Sequence, residues 1–238
     1  RGVQRLRKNL NRVGNANEDL VKRAVQSYLR YWCEAFRLPT WSKDRITKSV
    51  KIKNGEILMK ALEDKQAVVV ALPHSGNWDH AGAYYSVLGY PVTTVAEKLK
   101  PDSVFKAFLK YRQSIGLNVL ALESKVIVEL NRTLKNNGFV ALVADRDLSE
   151  TGIPVKFFNG IAKFPPGPAL LSLKNHSLLL SAIVYYSNTG IEIEFEQINT
   201  QGSVEEITQR IADSFANGIS KHPEDWHMLQ KIWIDDDF

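Results

Sequence analysis

Short apolar runs alternate with helical patterns from residue 56 to the end of the chain. The run 67–72 is apolar throughout, which is typical of a strand buried on both faces of a sheet. Six more strands are expected, at 91–95, 117–120, 139–143, 154–158, 178–186 and 191–197. Helical patterns lie between the first four strands, at 77–88, 101–115 and 123–136. Because repeated strand–helix–strand units build parallel sheets, we predict an α/β fold with a mainly parallel or mixed sheet of about seven strands.

The last two predicted strands flank Asn188-Thr189-Gly190, which has the composition of a hairpin turn. This turn predicts an antiparallel edge on the otherwise parallel sheet. Helices expected at 56–64 and 203–220 flank the sheet. The chain of 238 residues shows no internal repeat and no linker, so we expect one domain over 1–238.

Positive charge is concentrated at the start of the chain. Residues 1–60 contain 15 Lys or Arg and five Asp or Glu, whereas residues 61–238 have a net charge of −5. Apolar spacing predicts a basic helix over 2–12 and an aromatic helix from Asn17 to Pro39. We therefore divide the domain into a basic helical segment (1–60) and an α/β core (61–238), and we expect the basic segment to be attracted to an anionic partner: nucleic acid, lipid headgroups or a phosphorylated ligand. Two alternatives stay open: the charges only solvate these helices, and the aromatic face packs on the core.

Cys33 is the single cysteine, which excludes an internal disulfide framework and any multi-cysteine metal centre. We find no apolar run long enough to span a membrane and no signal peptide. The sequence begins with Arg1, so we expect that the encoded protein starts earlier, and an anchor upstream remains an open alternative.

The first predicted strand end carries a histidine and an aspartate. His74 follows the run 67–72, and Asp79 lies in the first turn of the next helix. Ligands of open α/β sheets bind beyond the carboxyl ends of the strands. The spacing suggests that Asp79 folds back onto the imidazole, which is the arrangement of a general base with an orienting carboxylate. The alternative is that His74 only caps the helix.

Polar clusters follow other strands. Glu97 and Lys98 come after the strand 91–95, Arg112 lies near the end of the following helix, and Asp145 and Arg146 come after 139–143. We expect these clusters to meet His74 in one crevice. Serine-hydrolase, zinc-protease, phosphate-loop and dinucleotide motifs do not occur in the sequence. We predict no metal and no cofactor.

These residues resemble a known family. The quoted segments are similar to bacterial His-x4-Asp acyltransferases, in the branch of the lipid A biosynthesis acyltransferases and the phosphatidylinositol mannoside acyltransferases. The segments are 73–79, 95–101, 111–116, 144–158 and the ending Asp225-Trp226-His227-Met228-Leu229-Gln230.

The resemblance implies a glycerolipid acyltransferase-like fold and transfer of a fatty acyl chain from acyl-CoA, as co-substrate, to a mannose hydroxyl of a glycolipid. It implies that His74 is the base, that Asp79 is its paired carboxylate and that Asp145 is a further acid. The substrate contacts that we expect are Ser75, Asn77, Glu97, Lys98, Arg112 and Arg146. Amides around 75–77 and Arg112 are expected to stabilise the oxyanion.

A lipid acceptor requires the enzyme to reach a bilayer. We expect a peripheral protein on the cytoplasmic side of the cell membrane, docked on an anionic surface through residues 1–60. One alternative is an acyltransferase of the same fold that uses a lipid A precursor and an acyl carrier protein. A more distant one is a nucleic-acid-binding module whose basic segment binds phosphate and whose Tyr28, Tyr31, Trp32 and Trp41 stack on bases, but it leaves the strand-end clusters unused, so we predict no nucleic-acid partner.

Overall fold

The computed structural model describes residues 2–97, 100–123, 125–147, 149 and 151–234. Its helices are α1 (Gly2–Val13), α2 (Glu18–Arg37), α3 (Lys43–Lys48), α4 (Glu56–Glu63), α5 (Trp78–Val87), α6 (Asp102–Ser114), α7 (Val126–Lys135), α8 (Gly167–Asn175) and α9 (Val204–Lys221). Its strands are β1 (Val50–Lys53), β2 (Val68–Leu72), β3 (Val92–Ala96), β4 (Asn118–Ala121), β5 (Phe139–Val143), β6 (Ile153–Phe157), β7 (Gly160–Phe164), β8 (Leu178–Ser187) and β9 (Gly190–Gln197). Short 3-10 helices lie at Leu38–Thr40 and Pro223–Asp225.

Within the described residues, seven strands form one sheet in the order β1-β9-β8-β2-β5-β3-β4. Every neighbouring pair is parallel except β8–β9, which form the predicted hairpin around 188–190. This confirms the α/β fold class and the mainly parallel sheet of seven strands.

Two details of the predicted sheet are wrong. The strand expected at 154–158 is β6, which pairs with β7 in a separate two-stranded antiparallel ribbon. The missing seventh strand is β1, which pairs in parallel with β9, so β9 is not an edge strand. Because β1 lies inside residues 1–60, that segment contributes a strand to the sheet as well as helices.

Side chains that alternate along β2 pack on both faces of the sheet, as its all-apolar sequence predicted. Val69 and Ala71 belong to a core that also contains residues of α1, α7, α8 and α9. Val68, Val70 and Leu72 belong to a second core formed with α4, α5 and α6. The sheet is therefore the middle layer between two sets of helices.

Helix α1 is part of the fold rather than a free arm. Leu6 and Leu10 are buried in the first core. Asn9 is also buried, and its amide nitrogen donates to the carbonyls of Met228 (2.7 Å) and Gln230 (2.9 Å). The apolar face of α1 thus packs on the core, and its contacts hold the C-terminal segment in place.

Candidate active site

His74 lies in the loop between β2 and α5, at the carboxyl edge of the sheet. The loop turns at Gly76, whose φ of +57° is a conformation that favours glycine. A Cβ at Gly76 would lie 2.6 Å from the carbonyl oxygen of Val184, so the backbone there also requires the smallest residue. This turn directs the chain from the buried strand into α5 and leaves His74 at the edge of an open crevice.

The imidazole of His74 pairs with Asp145. Nδ1 of His74 lies 2.6 Å from Oδ1 of Asp145, and the His74 main-chain N–H donates to Oδ2 at 3.0 Å. The indole N–H of Trp226 also donates to Oδ2, at 2.9 Å. Asp145 is fully buried, which raises the pKa of its carboxyl group, but His74 and these hydrogen bonds outweigh burial and lower that pKa below its usual value. An ionised Asp145 only accepts hydrogen bonds, so it places the proton of neutral His74 on Nδ1 and leaves a lone pair on Nε2.

The prediction that Asp79 folds back onto His74 is wrong for this geometry. Oδ1 of Asp79 lies 2.9 Å from Nε of Arg112, and Oδ2 accepts a 3.0 Å hydrogen bond from the hydroxyl of Tyr31. Burial alone lowers the pKa of the Arg112 guanidinium, but Asp79 and the neighbouring tyrosines more than offset that effect. Asp79 therefore holds a buried cation beside the crevice rather than the imidazole.

The physical reason is the position of Asp79 on α5. Residues that share a helix face are three or four positions apart. Asp79 lies five positions after His74, and residues 74–77 are loop because α5 begins at Trp78. Asp79 therefore does not share a helix face with His74, and its carboxylate contacts Tyr31 of α2 and Arg112 of α6.

Ser75 and Asn77, which we expected to contact substrate, are buried and bonded within the protein. The Ser75 hydroxyl donates to the carbonyl of Val184. The Asn77 side chain caps α5 by accepting from the His80 N–H at 2.9 Å and donates to Glu34 at 2.8 Å. Both residues shape the loop that carries His74.

Two of the three amides that we expected to form an oxyanion hole, those of Ser75 and Gly76, are occupied. The Ser75 N–H donates to the carbonyl of Pro73 at 2.8 Å, and the Gly76 N–H donates to the carbonyl of Asp225 at 2.9 Å. These two groups fix the loop and cannot turn toward a reacting carbonyl without breaking those bonds.

The crevice beside His74 contains the polar clusters of the other strand ends. Glu97 and Arg146 line it and form a 3.0 Å ion pair across two strands, and Arg112 lies on the same wall. The predicted contact Lys98 lies outside the described residues. Glu97, Arg112 and Arg146 therefore meet at the crevice as the sequence predicted.

A second, apolar cavity adjoins the crevice. It lies between α5 and the sheet, and Trp78, Val95, Arg112 and Val143 line both spaces. The paired residues Leu72 and Val143 line the end of the cavity next to the His74 loop. The paired residues Val92 and Phe139 line its far end. Four residue steps of strand at about 3.3 Å each separate the two ends of this lining by about 13 Å.

Sequence reasoning missed Trp226 and Tyr31, which contact the two aspartates directly. A signal existed for each. Trp226 lies in the C-terminal segment quoted for the family resemblance. Tyr31 lies on the aromatic face of α2, which we assigned to the core, to lipid or, in the nucleic-acid alternative, to base stacking. Neither position revealed its partner, because each contact joins residues far apart in the chain.

Comparisons with known proteins identify the family of this chain. A family model described as bacterial lipid A biosynthesis acyltransferase matches residues 1–234. The chain belongs to this acyltransferase family. Among its relatives, a phosphatidylinositol mannoside acyltransferase of Mycolicibacterium smegmatis is 39% identical, with 99% of this chain and 81% of the relative covered. A phosphatidylinositol mannoside acyltransferase of Mycobacterium tuberculosis is 40% identical, with 99% and 78% covered.

Membership of the acyltransferase family confirms the resemblance drawn from the sequence motifs. No helix among the described residues combines the length and apolarity that a membrane span needs.

Proposed function

We propose that this acyltransferase moves a fatty acyl chain from acyl-CoA to a mannose hydroxyl of a phosphatidylinositol mannoside, with His74 and Asp145 as its catalytic pair. The observation that carries the chemistry is the 2.6 Å contact of His74 Nδ1 with a buried, ionised Asp145. The names of the two similar relatives support the acceptor.

The proposed reaction follows from the proton on Nδ1. Nε2 of His74 removes the proton of the acceptor hydroxyl while that oxygen attacks the thioester carbonyl. Asp145 stabilises the imidazolium that forms. The tetrahedral intermediate then expels the CoA thiolate, which takes the proton from Nε2, and the products are an ester and free CoA.

Arg112 is our candidate for stabilising the oxyanion. It lines both the crevice and the apolar cavity, so its guanidinium lies where a thioester would bridge the two spaces. Asp79 forms an ion pair with the guanidinium at its Nε edge, and a planar guanidinium carries several N–H groups that can donate. A fixed, desolvated cation stabilises a developing negative charge strongly.

Glu97 and Arg146 are proposed to bind the sugar hydroxyls of the acceptor, since they supply an acceptor and several donors on one wall of the crevice. Lys98 remains a prediction from the sequence alone.

The apolar cavity is proposed to hold the acyl chain, and it yields a prediction about chain length. Ala141 lies midway along the cavity and Phe139 at its far end. Ala141→Leu should favour shorter acyl-CoA substrates, because each methylene left unburied costs about 0.8 kcal/mol, or about fourfold in affinity. Phe139→Leu should favour longer ones. The measurement is KM over a series of acyl-CoA chain lengths, and an equal change at every length would contradict the assignment.

Membrane docking is proposed to use the outer face of α2 together with the basic surface. Leu29 and Phe36, at 56% and 77% exposure, form an apolar stripe with Trp32, which lines the crevice. Because Leu6 and Leu10 of α1 are buried in the core, α1 contributes mainly charge to this surface. The acceptor lipid would then meet the crevice at the bilayer surface on the cytoplasmic side of the membrane.

Co-sedimentation with vesicles tests this docking. We expect binding to anionic vesicles at low salt, weakened by high salt and by charge reversal at Arg5, Arg7, Lys8 and Arg12, since each basic residue near the surface contributes about 1 kcal/mol. Phe36→Glu should also weaken binding. Leu88→Glu should not, because Leu88 is exposed at the C-terminal end of α5, whereas the His74 loop lies at its N-terminal end. Equal binding to neutral vesicles, or equal losses in both variants, would contradict the proposal.

An acceptor panel tests the proposed function. The protein is incubated with palmitoyl-CoA and either a phosphatidylinositol mannoside or a lipid A precursor, and products are identified by mass spectrometry. We expect acylation of the mannoside only, and none by His74→Ala, which should still bind acyl-CoA. Acylation of the lipid A precursor, or dependence on an acyl carrier protein, would replace this acceptor and donor with the alternative.

A further inference from the structure

Trp226 is a fully buried tryptophan in contact with the proposed catalytic pair. Its indole N–H donates to Oδ2 of Asp145 at 2.9 Å. The same oxygen accepts from the main-chain N–H of His74 at 3.0 Å, while Oδ1 lies 2.6 Å from Nδ1 of the imidazole. The two donors to Oδ2 therefore fix the rotation of the carboxylate, so that Oδ1 faces the imidazole.

The segment that carries Trp226 is paired with the loop that carries His74. Ser75 and Trp226 form an antiparallel bridge. Two main-chain hydrogen bonds between residues 225–227 and 74–76, of 2.9 and 2.7 Å, flank this bridge. The indole and the imidazole therefore extend from directly paired segments, and both reach the same carboxylate.

The indole is a neutral donor that cannot accept a hydrogen bond. It therefore favours the ionised form of Asp145, and its hydrogen bond is one of the contacts that lower the pKa of this buried carboxyl group. Among the described residues, His74 is the titratable side chain in contact with Asp145. His227, next to Trp226, is neutral, because burial and the nearby His74 lower its pKa to about 3.

We propose that Trp226 is a positioning residue for acyl transfer, whose indole N–H holds Oδ2 of Asp145 so that Oδ1 stays directed at Nδ1 of His74. This inference rests on the proposed function, because it concerns the catalytic pair assigned there. Without the indole donor, the carboxylate can rotate and takes up a proton more readily. Either change weakens the acceptor that keeps the His74 proton on Nδ1.

Trp226→Phe removes the donor and keeps an aromatic ring. We expect kcat to fall about 10- to 100-fold, the range for losing a hydrogen bond to a charged group. KM for acyl-CoA should change little, because the fully buried indole offers no surface to a substrate. The decisive measurement needs no substrate: ¹³C NMR should show that Asp145 takes up its proton at a higher pH in the variant. An unchanged titration would overturn the proposal.

The matched control is Trp233→Phe. Trp233 is also buried, and both tryptophans pack on the ring of Phe157, with ring centroids 5.6 Å away for Trp233 and 5.9 Å away for Trp226. The indole N–H of Trp233 donates to Asn9 at 3.1 Å, not to Asp145. We expect a similar loss of thermal stability in this control, with the Asp145 titration of the wild type and a much smaller change in kcat. Equal falls in kcat in both variants would show that Trp226 acts by packing alone.

A second replacement at Trp226 separates the hydrogen bond from the shape of the ring. Benzothienylalanine keeps the bicyclic shape but has a sulfur atom in place of the N–H. We expect the same shift of the Asp145 titration and the same fall in kcat as in Trp226→Phe, with stability close to that of the wild type. A wild-type titration in this protein would overturn the proposal. If the wild type acylates no mannoside, the proposed function fails, while the titration still decides whether Trp226 controls Asp145.

Discussion

Asp145→Asn should lower kcat for acyl transfer by about 10³- to 10⁴-fold while the protein stays folded. The asparagine keeps the size of the side chain and still accepts from the Trp226 N–H, but its amide can also donate to His74. The imidazole can then place its proton on Nε2, which removes the lone pair that accepts the hydroxyl proton. KM for acyl-CoA should change little, because Asp145 is buried behind the imidazole and does not line the crevice.

The matched control is Asp79→Asn, at the acid of the His-x4-Asp spacing. It should retain far more activity than Asp145→Asn, because Asp79 contacts Arg112 and Tyr31 instead of His74. If Asp79→Asn lost activity to the same degree while Asp145→Asn stayed active, Asp79 would be the catalytic carboxylate after all.

Asp79→Ala should destabilise the protein by about 3–5 kcal/mol, since it leaves the buried Arg112 guanidinium without its counter-charge. For a domain of this size that loss lowers Tm by about 6–20 °C. The measurement is thermal or denaturant unfolding of the purified variant, and it does not depend on the identity of any substrate.

The double variant Asp79→Ala with Arg112→Met is the control for that prediction. Removing both charges should restore much of the stability, because the cost comes from an unpaired buried charge. The acyl-transfer rate should stay low, since Arg112 is also our candidate for the oxyanion. An Asp79→Ala protein as stable as the wild type would show that the ion pair is not a structural element.

The location of the site could be predicted from the sequence. His74, Glu97 and Asp145 each follow a recognisable strand, and carboxyl ends of parallel strands share one edge of a sheet. The partner of His74 could not be predicted in the same way. It depends on β2 lying next to β5, with Leu72 opposite Val143, so that the residues two positions later come together. Nothing in the order of the strands along the chain reveals that pairing.

Which strands belong to the main sheet could not be predicted fully from the sequence either. The four residues of β1 alternate between apolar and charged, a pattern that could have predicted a strand within the basic segment. The pattern of β6 was recognised, but the sequence does not show that β6 pairs with β7 rather than with the main sheet. A strand pattern predicts local conformation, whereas the partner depends on the packing of the whole chain.

We propose that Asp145, and not Asp79, holds the proton of His74 on Nδ1. The most direct test is a ¹H–¹⁵N NMR experiment that detects this Nδ1–H in the wild type, in Asp145→Asn and in Asp79→Asn. We expect the strongly hydrogen-bonded proton in the wild type and in Asp79→Asn, and its loss in Asp145→Asn. Loss of the signal in Asp79→Asn with retention in Asp145→Asn would contradict the pairing.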